Sequence, residues 1–133
     1  ISNLMIVKNQ IGVIDSQDAV IGNKAYDLAS LIDDVRFKTS KKLKRKIYNS
    51  YVKNQKKLDE SKFKNDFEIL SILRNLKIIG IFTRLAVRDD KKKYLKLIPY
   101  AWNLIGLRIK DNRIFLDLKN LLNENFKKRL NEN

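Results

Sequence analysis

The segment that most constrains the fold of this chain is residues 12–34, in which a short apolar run changes into a helical pattern. It reads GVIDSQDAVIGNKAYDLASLIDD. The apolar run ends at Asp15, and apolar residues at helical spacing begin near Tyr26. An acidic side chain at the end of a buried strand is costly unless a cation meets it there. The segment therefore predicts a strand that ends at a carboxylate, a polar connection, and then a helix.

A second apolar stretch, Leu4 to Val7, lies shortly before this segment. Together the two stretches predict a pair of short strands joined near Asn9 and Gln10. Asn3 precedes the first strand, and Asp15 follows the second. Amide and carboxylate oxygens are hard donors of the kind that Mg²⁺ prefers. The pair Asn3 and Asp15 is therefore the candidate metal site of the sequence.

The remainder of the chain has apolar residues at helical spacing. We predict helices over residues 24–36 with Asn23 as N-cap, 40–57, 61–87, 91–108 with an interruption at Pro99, and 113–130. The third is the most apolar and is expected to be the buried central helix. Its core residues are Phe67, Leu70, Leu73 and Phe82. The predicted fold is mainly α, with a short β-hairpin at the N-terminus followed by about five helices.

Composition excludes several kinds of chemistry. The 133 residues include no Cys, which rules out a disulfide scaffold, a thiol nucleophile and thiolate zinc sites. They include no His, the commonest general base and metal ligand. No uninterrupted apolar stretch approaches the roughly 18 residues of a transmembrane helix. We expect a cytoplasmic protein whose chemistry depends on carboxylates, amides and cations and that does not involve a membrane.

The net charge of +14 raises the possibility of nucleic-acid binding. Residues 36–57 contain ten Lys or Arg and no acid, a stripe that could neutralise phosphates. The excess is mostly Lys, however, and the Arg and aromatic residues that read or stack on bases are sparse. We interpret the stripe as a solvated face. A basic helical nucleic-acid-binding module built on residues 36–57 is the alternative function.

The segment with Asp15 and the Tyr-Asp-Leu-Ala that starts at Tyr26 resembles the metal-binding segment of the aminoglycoside phosphotransferase-like kinases. The resemblance implies the C-terminal lobe of a protein-kinase-like fold, with ATP and with Mg²⁺ held by Asn3 and Asp15. Asp18 would orient Asp15 or a metal-bound water, or would be an acid in a helix N-terminal turn. Asp27 would be structural and would hold the backbone of the catalytic loop.

The same resemblance implies that the site is incomplete within these residues. In the family, the catalytic Asp would fall two residues before Ile1, and no Gly-x-Gly occurs among the four glycines. We therefore expect residues 1–133 to form a single partial domain, with the metal-site hairpin over 1–15 and the helical part over 24–130. The N-lobe and the catalytic Asp are expected upstream of Ile1, and the 133 residues alone are expected to be inactive.

A second segment narrows the subgroup. Residues 74–86, RNLKIIGIFTRLA, with Tyr94 and Pro99 after them, are similar to bacterial N-acetylmuramate/N-acetylglucosamine anomeric kinases. This similarity implies phosphorylation of a hydroxyl on a sugar or amino sugar. Arg74 and Arg84 could bind an anionic group of the substrate, or each could tie helices together through an acid. A non-catalytic interaction domain that retains kinase-like segments is a further alternative.

Overall fold

The computed structural model describes residues 4–14, 20–110 and 112–126. Within these ranges the chain forms two strands and then five α-helices. They are β1 (Leu4–Val7), β2 (Gln10–Val13), α1 (Ala25–Ile32), α2 (Lys41–Lys53), α3 (Glu60–Arg88), α4 (Ile98–Ile109) and α5 (Leu116–Asn125), with 3₁₀ turns at Lys92–Leu97 and Arg113–Phe115. The predicted order, a hairpin followed by helices, is confirmed.

The hairpin is antiparallel, with Leu4 opposite Val13 and Val7 opposite Gln10. Its turn is formed by Lys8 and Asn9, whose φ angles of 46° and 63° are both in the left-handed region. Two such residues in succession match the twist of the flanking strands, which is why this turn type is common in hairpins. The turn lies at Lys8 and Asn9, next to the predicted position near Asn9 and Gln10, and Gln10 already belongs to β2.

Helix α1 begins at Ala25, one residue after the predicted start, and ends earlier than predicted. The Asn23 side chain accepts a hydrogen bond from the Ala25 backbone N–H at 2.9 Å, as expected of a cap. The helix stops at Ile32 instead of continuing to residue 36. The Asp34 carboxylate accepts the Arg36 N–H at 2.9 Å, so this N–H makes a local side-chain bond instead of a helical bond to the Ile32 carbonyl.

The two following helices start at side-chain caps. The Ser40 hydroxyl accepts from the Leu43 N–H at 3.2 Å, and the Asp59 carboxylate accepts from the Lys62 N–H at 3.0 Å. Helix α3 matches its predicted span to within one residue at each end. Helix α2 ends four residues before the predicted position, at Lys53.

The core is divided into clusters along α3. One joins α3 to α1 and consists of Ala25, Leu28, Ala29, Ile32, Phe63 and Phe67. Another joins α3 to α4 and to the end of the described chain and consists of Ile72, Trp102, Ile105, Ile109, Phe115 and Leu122. Helix α3 is therefore central, as predicted. The inclusion of Leu73 in its core was wrong, because that side chain is 55% exposed.

Pro99 divides the fourth helical region as predicted. It lies in the first turn of α4, where its missing N–H has no helical partner to lose, and the residues before it form a 3₁₀ turn. None of the helices in the described ranges has the length and hydrophobicity needed to span a membrane.

Candidate functional site

The predicted magnesium ligands Asn3 and Asp15, and the neighbouring Asp18, lie outside the described residues. The structure does describe the strand ends beside them, where Leu4 pairs with Val13. Among the described residues, no three Asp, Glu, His or Cys side chains are grouped as a metal ion would require. The magnesium site at Asn3 and Asp15 therefore stays a prediction.

Asp27 lies in the first turn of α1 and is exposed. An acid in this position interacts favourably with the positive end of the helix dipole. It also lines an open cavity of about 650 Å³, together with Asn23, Tyr26 and Leu70. Asn23 fixes this end of α1 to α3 by donating to the Asp66 carboxylate at 2.8 Å. The role predicted for Asp27, which is to hold the backbone of the catalytic loop, stays a prediction.

The structure does not bring Arg74 and Arg84 together. Arg74 Nη1 donates to the main-chain oxygen of Asp33 at 3.3 Å, which joins α3 to the end of α1. Arg84 is exposed, and its charge acts on Asp89. The pKa of Asp89 is lowered first by hydrogen bonds from Arg88 and also by the Arg84 charge. Arg74 thus ties helices together, although through a backbone carbonyl.

The most highly connected polar group of the described structure is Asp33, which sequence reasoning missed. Its carboxylate is fully buried. Oδ1 accepts from Lys44 Nζ at 2.9 Å and from Arg108 Nη2 at 3.1 Å. Oδ2 accepts from Ser71 Oγ at 2.7 Å and from Arg108 Nε at 2.9 Å. One carboxylate at the end of α1 therefore connects α2, α3 and α4.

The next residue, Asp34, forms a separate ion pair with Arg36. Arg36 Nη2 donates to Oδ2 at 2.7 Å, and its Nε donates to Oδ1 at 3.0 Å. Burial alone would raise the pKa of Asp34. The hydrogen bonds from the Arg36 side chain and backbone outweigh it and, with the charges of Arg36 and Arg74, hold this pKa below its usual value.

The sequence contains a signal for the two cations of the Asp33 network, although not for their acceptor. Lys44 lies three, four and seven residues before Ile47, Tyr48 and Tyr51, which form the apolar stripe of α2. This spacing places Lys44 on the same face of the helix. Arg108 follows the buried Ala101 on α4 by seven residues, which is also two turns of a helix. A cation on an apolar stripe requires a buried counter-charge, and Asp33 provides it.

This network also changes the interpretation of the basic stripe over residues 36–57. Lys44 is buried against Asp33, and Arg36 is bonded to Asp34. Neither cation is therefore free to neutralise a phosphate group of a nucleic acid. The other cations of the stripe could still bind phosphate groups. The nucleic-acid alternative therefore stays a prediction, with fewer cations available for it.

Comparison with known proteins shows that the chain is similar to proteins of the same name from several bacteria. The chain is 34% identical over 93 residues to the N-acetylmuramate/N-acetylglucosamine kinase of Caulobacter vibrioides, which covers 70% of this chain. It is 34% identical over 113 residues to the protein of that name in Neisseria meningitidis, and 33% identical over 103 residues to that of Pseudomonas aeruginosa. These matches cover 79% and 73% of this chain. No protein-family model matches it.

The matches cover a smaller share of the relatives. The aligned regions represent 26% of the Caulobacter protein, 33% of the Neisseria protein and 30% of the Pseudomonas aeruginosa protein. The chain thus spans about a quarter to a third of the length of the curated relatives it matches.

Proposed function

We propose that this chain, a homologue of part of the N-acetylmuramate/N-acetylglucosamine kinases, belongs to an enzyme that transfers the γ-phosphoryl group of ATP to a hydroxyl of a sugar or amino sugar. The identity of 34% to two kinases of that name, over 70% and 79% of the chain, carries this proposal. The hairpin followed by helices is the element order expected of the C-terminal lobe of a kinase-like fold. An enzyme that uses ATP is expected in the cytoplasm.

The hairpin register supports a metal site at Asn3 and Asp15. Leu4 is directly opposite Val13, so the strand ends that lead to Asn3 and to Asp15 belong to the same end of the hairpin. One amide oxygen and one carboxylate, completed by phosphate oxygens, form a donor set suited to Mg²⁺. Bound there, Mg²⁺ would bridge the nucleotide phosphates and offset charge in the transition state.

Other residues have supporting roles in this proposal. Asp18 orients Asp15, and Asp27 holds the backbone of the catalytic loop from the first turn of α1. The catalytic Asp that accepts the proton of the substrate hydroxyl precedes Ile1 in the complete enzyme. The 133 residues alone then bind neither substrate productively and have no transferase activity.

The decisive experiment uses the complete enzyme with Asp15→Asn. Phosphoryl transfer from ATP to N-acetylglucosamine should fall by about 10²-fold or more, because the amide cannot offset the charge of the metal. Mn²⁺ affinity, measured by electron paramagnetic resonance with ATP present, should fall as well. Circular dichroism should show an unchanged fold.

Asp117→Asn is the matched control, because Asp117 is an exposed acid in the first turn of α5. It should retain full transferase activity and Mn²⁺ affinity. Near-normal transfer by the Asp15→Asn enzyme at ordinary Mg²⁺ would show that Asp15 is not a metal ligand. Absence of sugar phosphorylation in the unmodified enzyme would refute the proposed function itself.

A further inference from the structure

A cavity of about 250 Å³ lies between α2, α3 and α4. None of its lining residues comes from the hairpin or from α1. The proposed phosphoryl transfer assigns no role to it.

The cavity carries an excess of positive charge. Its lining includes one acid, Glu68, and five cations, which are Lys41, Lys44, Arg45, Lys64 and Arg108. Lys44 and Arg108 are held by Asp33. Glu68 accepts a hydrogen bond from Asn112 Nδ2 at 2.7 Å. The remaining three cations are exposed and form no ion pair with any residue in the described ranges, so their charges are available to a ligand.

The inner wall of the cavity is aromatic. The rings of Tyr48 and Phe67 meet edge to face with centroids 5.0 Å apart. The Arg108 guanidinium lies 4.8 Å from the centroid of the Phe67 ring. Its Nε and Nη2 donate to Asp33, whereas Nη1 donates to no group in the described part of the chain. An aromatic surface with a guanidinium on it suits a flat ligand that ends in an anionic group.

Tyr48, which lines the cavity, carries a phenol hydroxyl. Burial raises the pKa of this phenol, and the negative charge of Glu68 raises it further. The hydroxyl therefore keeps its proton at neutral pH and can donate a hydrogen bond.

We propose that this cavity binds a small organic anion, a carboxylate or phosphate monoester attached to a flat apolar group. The volume corresponds to about eight water molecules and lies below the range of drug-sized pockets, so the ligand is small. The apolar group would contact Tyr48 and Phe67, and the anion would be neutralised by Arg45, Lys64 and the free edge of Arg108.

The test is titration of the 133-residue chain with four compounds, followed by amide chemical shifts and by calorimetry. Benzoate and phenyl phosphate represent the two kinds of anion, benzyl alcohol is their neutral counterpart, and inorganic phosphate lacks the apolar group. One or both aromatic anions should bind with Kd below about 10 mM and shift amides of α2, α3 and α4. Benzyl alcohol and inorganic phosphate should each bind roughly ten-fold more weakly. The stronger of the two anions identifies the preferred group.

Variants on the cavity rim test the location. Lys64→Gln and Arg45→Gln should each weaken binding of the aromatic anion by roughly three- to ten-fold. Both residues are exposed, so the fold should survive these changes. Lys62→Gln and Lys42→Gln are matched controls, since they remove an exposed charge from the same helices outside the cavity lining. The controls should leave affinity unchanged.

Three results would overturn the proposal. Absence of binding by both aromatic anions up to about 10 mM would show that the cavity has no such affinity. Equal binding of benzyl alcohol would reveal an apolar cleft without anion selectivity. If the control variants weakened binding of the aromatic anion as much as the rim variants do, the binding would reflect general electrostatic attraction and not the cavity. None of these outcomes bears on phosphoryl transfer, which is measured separately.

Discussion

Arg108 and Asp33, which lie 75 positions apart in the chain, form a two-point ion pair with bonds of 2.9 and 3.1 Å. The Asp33 side chain is fully buried, and only 17% of the Arg108 side chain is exposed. Lys44 is the second buried cation on the same carboxylate. The single negative charge thus compensates two positive ones in a region with little access to water.

Replacement of Asp33 by Asn should strongly destabilise the chain. The change leaves Lys44 and Arg108 buried without a counter-charge, which typically costs about 3–5 kcal/mol in the free energy of unfolding. Urea unfolding followed by circular dichroism measures this loss. Asp117→Asn, at an exposed acid in the first turn of α5, loses only a helix-dipole interaction and should change the unfolding free energy by less than about 1 kcal/mol. A similarly small effect for Asp33→Asn would mean that the network contributes no net stability.

The Asp34–Arg36 pair should make stability depend on acid pH. The pKa of Asp34 is lower in the folded chain than its usual 3.8, so the unfolded chain takes up the proton first as pH falls. Its stabilising contribution is complete above that usual value and is lost as pH falls through the folded pKa. The difference in unfolding free energy between the unmodified chain and Asp34→Asn should therefore shrink below about pH 4.

Arg36→Gln provides the second arm of this measurement. It keeps the acid and the backbone hydrogen bond from residue 36, and it removes the side-chain hydrogen bonds and the charge of Arg36 that lower the pKa of Asp34. Urea titrations at several values between about pH 6 and about pH 3 should show a weaker acid dependence for this variant. A difference between unmodified and Asp34→Asn chains that stays constant over this range would contradict the assignment.

Amide exchange should differ sharply between the hairpin and α3. Hairpin side chains are largely exposed, with Ile6 at 83% and Ile11 at 72%, and a two-stranded hairpin is marginal by itself in water. Residues 66–86 lie in the central helix, which contributes to three core clusters. Hydrogen exchange of the isolated chain should be orders of magnitude faster in residues 4–13 than in 66–86. Equal protection would show that the hairpin is stable without further packing.

The acceptor of the proposed enzyme should be a neutral or acidic sugar. This chain carries 29 basic and 15 acidic residues, so its average field repels polycations such as classical aminoglycosides. The complete enzyme should have a higher kcat/KM for N-acetylmuramate or N-acetylglucosamine than for kanamycin. Faster phosphorylation of kanamycin would contradict this expectation.

The local signals of the sequence were sufficient for most of the fold. Side-chain hydrogen bonds from the starts of the first three helices to Asn23, Ser40 and Asp59 are short-range features, and the predicted starts at 24, 40 and 61 lie within one residue of the observed ones. The ends of α1 and α2 were less predictable. The Asp34 side chain competes with the helical backbone at the end of α1, and that competition depends on one hydrogen bond rather than on apolar spacing.

Of the candidate sites, one could be proposed from the sequence and the other could not. Asn3 and Asp15 could be proposed because they flank two recognisable strands. The Asp33 network could not be assembled from spacing alone, since its partners come from three other helices. Lys44 and Arg108 each marked an apolar stripe with a buried charge, but only the tertiary packing identified their shared acceptor.

The separations within the Asp33 network have a kinetic consequence. Its side-chain partners lie 11, 38 and 75 residues away along the chain. The loops between them must all close before the carboxylate reaches every donor, and loop closure costs entropy before the contacts are gained. We therefore expect the network to form late in folding, which φ-value analysis of conservative changes at Asp33 would check. Interactions absent from the folding transition state slow unfolding without accelerating folding, so loss of Asp33 should speed unfolding more than it slows folding.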